Sequence, residues 1–550
     1  MDTASANIRR KKRFKYILIT EGIAIGLITG ALISVFRLML TGADTLRSRL
    51  ADYAHSGAGA ALVCALVLLA AAATVALLLG FEPDIAGSGI PQVEAELRGL
   101  RDMDWKKVIA GKMAGCALAI GGGLALGREG PSIQIGAMVG KGFAKARKSV
   151  LTEERLLLTC GAGAGLSAAF GAPLAGAIFS LEELHRNFSA EVLMTTMAAA
   201  AASDFVTANI LGLTPVFGFE IEHGLPLRYY WAVVVLGLAL GAFGAGYNRV
   251  IALMQDAFAA VGRGAASLVC RAAGREVSIL SSSDEVSPLA EKASRFGRMI
   301  TVFAAAYLFM FMYPDVLGSG SGLVSRVCSG EFAVPALALL LILKFVFSTA
   351  SFGSGSPGGI FLPLLVLGAV TGGLFSEALG ITGGSGEYIT AFVVIGMAGF
   401  FSAIVRAPVT GVVLITEMTG DFTTLLPLVL VSLIAYVTAE ALGAQPIYTQ
   451  LLARITGRRA GGSRMMSLRE RKTIIDAEVH VGSRMDGGSV SEFGLPLGTL
   501  IVSVTRGSDE IIPDGQTRLR AGDELEILTR EKDVNDVEDV IDAACRSLAE

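Results

Sequence analysis

The sequence predicts an all-α polytopic membrane protein followed by a small α/β domain. Three observations support this fold class: 53% of the 550 residues are hydrophobic and 17% are charged, the mean hydropathy is +0.61, and long apolar runs recur. Such a composition is too apolar for an ordinary soluble enzyme. Runs such as 16–36, 58–80 and 156–181 reach the roughly 20 residues that cross a bilayer, and other runs are shorter. We therefore expect the chain to reside in a lipid bilayer.

The amino-terminal segment, residues 1–15, is basic. Six arginines and lysines lie between Arg9 and Lys15, directly before the first apolar run. Basic segments of this kind remain on the cytoplasmic side, so we expect a cytoplasmic amino terminus. A signal peptide is the alternative, but the run is interrupted by Glu21 and continues without a clear cleavage site. A second polar interval, 262–298, carries six arginines and lysines and is also expected in the cytoplasm.

An internal repeat divides the apolar part into two halves, about 16–260 and 298–456. Three blocks recur in the same order at offsets of 231, 232 and 235 residues. The paired residues include Ser88 and Ser319, Lys112 and Lys344, and Glu182 and Glu417. Two homologous halves are typical of transporters whose ion site lies between them on discontinuous helices. The residues alone leave open whether the halves are parallel or inverted.

Three breaks containing glycine and proline predict anion-binding helix termini. They are Gly87 to Pro91, Gly127 to Pro131 and Gly359 to Pro363. A turn followed by proline at a helix start leaves backbone N–H groups and the positive end of the helix dipole facing a cavity. Chloride suits such neutral donors, because a fully charged cage would hold the ion too tightly. Close helix packing is the alternative for any single break, but it does not explain all three.

These three breaks resemble, in this order, the signature loops of the CLC family of chloride channels and transporters. The resemblance covers about residues 16–456, and Gln445 to Tyr448 resembles the segment that supplies the family's pore tyrosine. It implies an inverted-repeat CLC fold with broken helices, assembled as a homodimer with one anion path per subunit. The implied chloride ligands are the hydroxyls of Ser88 and Tyr448 and the backbone N–H groups of Gly130, Ile360 and Phe361.

Two glutamates are candidate proton carriers. Glu129 lies in an apolar segment, where a lipid-facing carboxylate costs about 2.5 to 3.5 kcal/mol, so we expect it to line the path or to be protonated. The resemblance implies that Glu129 is the gating and external proton glutamate and that Glu183 is the internal one. The alternatives are an ion pair between Glu129 and Arg128, and a solvated acidic pair at a helix end for Glu182 and Glu183. Because only Glu182 has a glutamate as its repeat partner, we interpret it as structural.

The sequence predicts no metal or cofactor. Its six cysteines lack Cys-x-x-Cys spacing, it has four histidines, and the Gly-x-Gly-x-x-Gly pattern at Gly353 lacks a strand context. It also lacks His-Glu-x-x-His and Gly-x-Ser-x-Gly motifs, so we expect a transporter and not an enzyme. Lys112 and Lys344 leave two interpretations open: they raise the positive potential of the path, or they extend to the membrane interface.

The tail, residues 473–550, is predicted to be a separate domain after a polar linker, 457–472. It carries 17 acidic and 7 basic residues, a net charge of −10, whereas the whole chain carries −3. We expect strands at 474–481, 499–504 and 524–528 and an amphipathic helix at 534–548. The stretch Leu495 to Leu525 resembles the TrkA-C module, which implies a regulatory domain that pairs with a second copy and binds a small-molecule or nucleotide ligand. A tail that only stabilises a dimer is the alternative.

The resemblance and the residues together predict chloride/proton exchange across a plasma (inner) membrane, with both termini cytoplasmic. The expected partners are chloride, protons, the lipid bilayer and a second copy of the chain, and no nucleic acid. Ser88 resembles the chloride-selecting members of the family. A passive voltage- or ligand-gated chloride channel is the alternative. A subunit of a potassium uptake system is disfavoured because the sequence lacks a Thr-Val-Gly-Tyr-Gly filter.

Overall fold

A computed structural model of the protein describes residues 2–185, 190–213, 216–218, 224–272, 288–382, 387–457, 472–496, 498–507, 509–530 and 534–545. The chain divides into two compact units, 1–452 and 453–550. Residues 273–287 of the predicted polar interval and 458–471 of the predicted linker lie outside the described residues.

The first unit is helical in both halves of the repeat. The first half contains α1 (Asp2–Ala54), α2 (Ala58–Phe81), α3 (Ile90–Leu97), α4 (Trp105–Gly121), α5 (Glu129–Arg147), α6 (Leu151–Phe170), α7 (Pro173–Phe179), a π-helical turn (Ser180–His185), α8 (Ala190–Leu211) and α9 (Tyr230–Ala272). The second half contains α10 (Pro288–Met312), α11 (Ser321–Cys328), α12 (Val334–Gly353), α13 (Phe361–Ala378), α14 (Glu387–Val405), α15 (Pro408–Thr419), α16 (Leu425–Ala441) and α17 (Ile447–Ile455). Among the described residues, seven helical segments are long and apolar enough to cross a membrane.

Several helices are short because glycine and proline interrupt them, as the sequence predicts. Helices α3 and α11 have 8 residues each, and each follows a glycine in the left-handed conformation, Gly89 (φ 97°) or Gly320 (φ 85°). Helices α7 and α15 begin with Pro173 and Pro408, which need no hydrogen-bond acceptor at a helix start. Discontinuous helices therefore occur at repeat-related positions.

Reciprocal contacts relate the two halves by a local two-fold axis. The carboxylate of Glu182 accepts a hydrogen bond of 2.8 Å from the N–H of Thr410 in the first turn of α15. Its repeat partner Glu417 accepts one of 2.8 Å from the N–H of Ala175 in the first turn of α7. Gly127 and Gly359 form an antiparallel bridge between the halves. Repeat-related residues thus make equivalent contacts across the boundary between the two halves.

Close helix contacts support the helices that begin at the breaks. A Cβ atom added to Gly136 of α5 would overlap the carbonyl oxygen of Gly161 of α6. The same overlap would arise between Gly372 of α13 and the carbonyl oxygen of Phe392 of α14. Small residues let helix backbones approach each other, which explains the glycines at these two positions within the helices.

The second unit contains a four-stranded antiparallel sheet with the strand order β1-β4-β2-β3. Its elements are β1 (Lys472–Glu478), β2 (Leu500–Arg506), β3 (Asp509–Ile511), β4 (Asp523–Arg530) and α18 (Val534–Cys545). The three predicted strands and the helix are confirmed, whereas the 3-residue β3 was not predicted. Val537 and Ile541 of α18 pack with Val504, Leu525 and Ile527 of the sheet in the core of this unit.

Candidate functional site

The three predicted breaks meet at one buried place. The backbone N–H groups of Gly127 and Gly359 each donate to the carbonyl oxygen of the other at 2.7 Å. The N–H of Gly358 donates to the carbonyl oxygen of Gly87 at 3.0 Å. A Cβ atom on Gly130 would overlap the Ser88 hydroxyl oxygen, so these two residues are in direct contact. Segments that are more than two hundred residues apart in the sequence therefore form one structure.

Two helices begin at this place. In α5 the first backbone hydrogen bond of the helix runs from the N–H of Ser132 to the carbonyl oxygen of Arg128 at 2.9 Å. In α13 the corresponding bond joins Leu364 to Ile360, also at 2.9 Å. The N–H groups at the start of each helix, including those of Gly130 and Phe361, precede these bonds and are not used by the helices. Such termini bind anions through free N–H groups and the positive end of the helix dipole.

The Glu129 carboxylate lies between the two helix starts. Glu129 is the first residue of α5 and its side chain is 0% exposed. A Cβ atom on Gly127 would overlap Glu129 Oε2 and would lie 3.1 Å from the backbone nitrogen of Leu362. The carboxylate is therefore next to the first turn of α13, in a position suited to an anion.

An ion pair does not account for the Glu129 side chain. Arg128 Nε lies 4.0 Å from Glu129 Oε1, at the outer limit of an ion pair. Although the carboxylate is near the N–H groups of Arg128 and Leu362, neither oxygen forms a hydrogen bond of ordinary length and angle with the described residues. The predicted alternative, a carboxylate neutralised by Arg128, therefore receives little support.

The hydroxyl groups of Ser88 and Tyr448 are buried beside these termini. Ser88 is 2% exposed and Tyr448 is 0% exposed. Neither hydroxyl has a hydrogen-bond partner among the described residues. Because a buried hydroxyl without a partner costs about 1 to 3 kcal/mol, both groups are available to donate to an anion.

Two side chains hold the segment that precedes Tyr448, and the sequence did not identify either. Arg406 Nη2 donates to the carbonyl oxygen of Ala444 at 3.0 Å, and Asn248 Nδ2 donates to that of Gln445 at 2.9 Å. Arg406 has a positive φ of 70°, which is uncommon for a residue other than glycine. Its repeat position corresponds to a glycine, Gly171, so a comparison of the two halves could have identified it.

The adjacent glutamates of the π-helical turn have different environments. Glu183 is 5% exposed, and its charge acts on the Tyr448 hydroxyl together with that of Glu129. The predicted alternative of a solvated acidic pair is therefore wrong for Glu183. Glu182 instead binds the start of α15, as the structural interpretation predicts.

Lys112 and Lys344 are fully buried, so the interpretation that they extend to the membrane interface is wrong. Lys112 Nζ donates to the carbonyl oxygens of Ile85 at 2.9 Å and Gly87 at 2.7 Å. Lys344 Nζ makes the equivalent bonds at 2.8 and 2.9 Å in the second half. Lys112 thus fixes the loop that carries Ser88, and Lys344 fixes the loop that carries Ser319. The internal repeat, which pairs the two lysines, is the sequence feature that indicates their common role.

An aromatic cluster surrounds the start of α13. The ring of Phe361 lies 4.7 Å from that of Phe401, 5.4 Å from that of Phe170 and 6.3 Å from that of Phe179. These contacts fix the first turn of α13 and exclude water beside it. In the part of the chain that the structure describes, no group of three or more His, Cys, Asp or Glu side chains is placed to hold a metal ion.

The tail unit contains a separate cavity of about 430 Å³. It is lined by Arg484 and by apolar side chains that include Phe493, Leu495 and Val540. One cationic group beside an apolar wall suits a small molecule that carries both an anionic and an apolar part.

Comparisons with known proteins agree with this geometry. A family model described as voltage gated chloride channel matches residues 70–440, and a TrkA-C domain model matches residues 474–542. An H(+)/Cl(-) exchange transporter ClcA from Vibrio parahaemolyticus is 33% identical over 381 residues, which is 68% of this chain and 75% of the relative. A second ClcA exchange transporter, from Citrobacter koseri, is 30% identical over 457 residues, covering 81% and 90% of the two chains.

Two solved structures have a fold similar to that of this chain. The crystal structure of a slow cyanobacterial Cl−/H+ antiporter matches with a TM-score of 0.70 and 29% identity, over 80% of this chain and 98% of that chain. A eukaryotic CLC transporter matches with a TM-score of 0.62 and 21% identity, over 81% and 75% of the two chains. At that lower identity the second match supports the fold alone.

Proposed function

The chain belongs to the voltage gated chloride channel family, and from this premise we propose that it exchanges chloride for protons across the membrane. The observation that carries the proposal is the position of Glu129. Its buried carboxylate lies at the start of α13, where a permeating anion would bind.

The proposed mechanism depends on competition between this carboxylate and chloride. When ionised, Glu129 is attracted to the positive end of α13 and blocks the path. Protonation removes that attraction, so the side chain can leave and chloride can take its place. The hydroxyls of Ser88 and Tyr448 and the N–H groups of Gly130, Ile360 and Phe361 are the proposed neutral ligands. Because one position serves both the carboxylate and the anion, proton and chloride movements become linked.

Glu183 is the proposed proton carrier on the opposite, internal side. It is nearly fully buried and close enough to Tyr448 to act on its hydroxyl electrostatically. A carboxylate held in such surroundings is expected to serve a proton pathway. Glu129 would then exchange protons with the external side. The absence of a repeat partner for Glu183 supports a role that only one half of the molecule provides.

Proton uptake driven by a chloride gradient in proteoliposomes tests the proposal. The native chain, Glu129→Gln and Glu183→Gln would be compared with Glu440→Gln, which removes the charge of an exposed glutamate of α16. We expect uphill proton movement in the native chain and in Glu440→Gln, and none in the other two variants. Chloride should still move in Glu183→Gln. Chloride flux without any proton movement in the native chain would refute exchange and indicate a passive channel.

We further propose how the chain is organised in the cell. Residues 1–15 would be a cytoplasmic segment, 16–456 the transport domain, 457–472 a linker and 473–550 a regulatory domain. The proposed location is the plasma (inner) membrane, with both termini cytoplasmic and two chains in a homodimer. The molar mass of the purified protein, with the detergent contribution subtracted, tests the dimer.

The tail cavity is the proposed site of a small-molecule or nucleotide ligand. Arg484 supplies a positive charge for a phosphate group, and Phe493 supplies an apolar surface for a base. Thermal unfolding of the full chain with a series of nucleotides, in the native protein and in Arg484→Gln, tests this assignment. Stabilisation that the substitution does not reduce would place the ligand elsewhere.

A further inference from the structure

A polar cavity of about 400 Å³ lies beside the Glu129 site. Arg128 and Leu362 belong to its lining, and both are also next to the Glu129 carboxylate. Arg37 and Thr45 of α1 line the cavity as well. The cavity and the Glu129 carboxylate are therefore adjacent.

The lining carries an excess of positive charge. Its acidic residue, Asp44, is ion-paired with Arg47 at a distance of 2.7 Å. Arg37 and Arg128 remain, and they are near enough to act on each other's charge. Asp204 and, while it is ionised, Glu129 offset part of the charge of Arg37, and Glu129 Oε1 also lies 4.0 Å from Arg128 Nε. Two neighbouring arginines that repel each other are stabilised when an anion binds between them.

The loop of the second repeat half that corresponds to the Ser88 loop also lines this cavity. Ser319, the repeat partner of Ser88, lies in the lining. Its loop is fixed by Lys344 and by a 3.0 Å hydrogen bond from the N–H of Gly318 to the carbonyl oxygen of Gly123. The repeated serine loop thus places Ser88 at the central site and Ser319 in the lining of this cavity.

From this arrangement we propose that this polar cavity, lined by Arg37, is a loading site, where a small inorganic anion binds with part of its water shell before it enters the central site. Six waters at about 30 Å³ each occupy roughly 180 Å³, so a hydrated chloride fits and a bare one would leave the cavity mostly unfilled. Weak, hydrated binding allows the ion to move on when Glu129 leaves the path. The inference rests on the proposed transport function, but binding at this cavity can be measured without transport.

The test places a cysteine in the lining and measures its reaction with charged reagents. Thr45 is exposed and lines the cavity, so Thr45→Cys should react with anionic and cationic methanethiosulfonates of similar size. The unsubstituted chain reports reaction at the native cysteines, most of which are buried. The rates are measured on the full purified protein with Arg37→Gln or with Arg49→Gln, which removes the same charge from an exposed position of α1.

We expect the anionic reagent to react faster than the cationic one after correction for their rates with a free thiol. Chloride should slow the anionic reagent in a saturable manner. Loss of one nearby charge should lower the ratio of the two rates about tenfold in Arg37→Gln and abolish the effect of chloride. Arg49→Gln should retain both. Equal rate ratios and equal chloride sensitivity in the two variants would overturn the proposal.

Transport provides the second readout. Arg37→Gln should raise the chloride concentration for half-maximal flux about fivefold and change the maximal rate by less than twofold. Arg37→Lys, which keeps the charge, should restore the native value. If the native chain moves no chloride, the proposed function fails, and the cysteine reaction still decides whether the cavity binds an anion. An unchanged half-maximal concentration in Arg37→Gln would refute a loading role.

Discussion

Replacing Glu182 by glutamine should destabilise the protein without uncoupling protons from chloride. Glu182 accepts hydrogen bonds from the N–H of Val409 at 3.3 Å, and from the N–H and hydroxyl of Thr410 at 2.8 and 2.7 Å. Glutamine keeps one acceptor oxygen, but its amide group would place N–H donors against the N–H groups of α15. The negative charge at the start of the helix is lost as well.

The expected cost follows from these contacts. A hydrogen bond to a charged group contributes about 1.5 to 3 kcal/mol, and a charge at a helix start about 0.3 to 1 kcal/mol. Because Glu182 is partly exposed, the lower end applies, and we expect a loss of about 2 kcal/mol in the free energy of unfolding. Glu417→Gln should cost a similar amount, since Glu417 accepts hydrogen bonds of 3.0 and 2.8 Å from the start of α7.

Reversible unfolding in mixed detergent micelles would measure the stability of both variants, and proteoliposomes would give the ratio of protons to chloride. The matched comparison is Glu183→Gln, which should lose proton transport with little change in stability. A native ratio in Glu182→Gln, together with reduced stability, would support the structural role. A native stability combined with lost proton transport would show that Glu182 carries protons and that the repeat was misinterpreted.

Three further predictions follow from the site and the tail. Gly127→Ala should reduce coupled transport at least tenfold because its Cβ would overlap the Glu129 carboxylate, whereas Gly246→Ala, which meets no atom within 4 Å, should leave proteoliposome exchange unchanged. Lys112→Met should weaken chloride binding at the central site about tenfold in calorimetry because two buried carbonyl groups lose their donor, whereas Lys344→Met, which acts on the loop of Ser319, should leave the affinity of the central site unchanged. In the tail, burial opposes ionisation of Asp523, but Arg506 outweighs it through two 2.7 Å hydrogen bonds and lowers the pKa of Asp523. The pair should therefore stabilise the tail by about 2 kcal/mol above pH 4, a contribution lost as the pH falls further and absent in Asp523→Asn, as hydrogen exchange would measure.

The positions of the helix breaks could be read from the sequence because they are set by local chemistry. Glycine before Ile90 and proline at residue 91 determine a turn and a helix start without help from the rest of the chain. The tail strands were likewise predicted from short runs rich in isoleucine, leucine and valine. The short β3 was not, because 3 residues are too few to form such a run.

The contacts between the halves required the tertiary structure. The sequence paired Glu182 with Glu417, but it could not show that each one binds the helix start of the other half. It also left two interpretations of Lys112, and burial excluded the one in which the side chain extends to the membrane interface. Such outcomes depend on distances between residues far apart in the chain, which no local pattern contains.

The sequence by itself determined the membrane environment, the two related halves, the separate tail and the residue types that can bind an anion. Composition, repeated spacing and the backbone preferences of glycine and proline depend only on the identity and order of the residues. They can therefore be recognised without knowledge of the tertiary structure. Only the tertiary structure brought Gly127 beside Gly359 and put the Glu129 carboxylate at the start of α13. The physical reason is that a helix start becomes an anion site only when a second segment encloses it, and that enclosure depends on how the two halves pack.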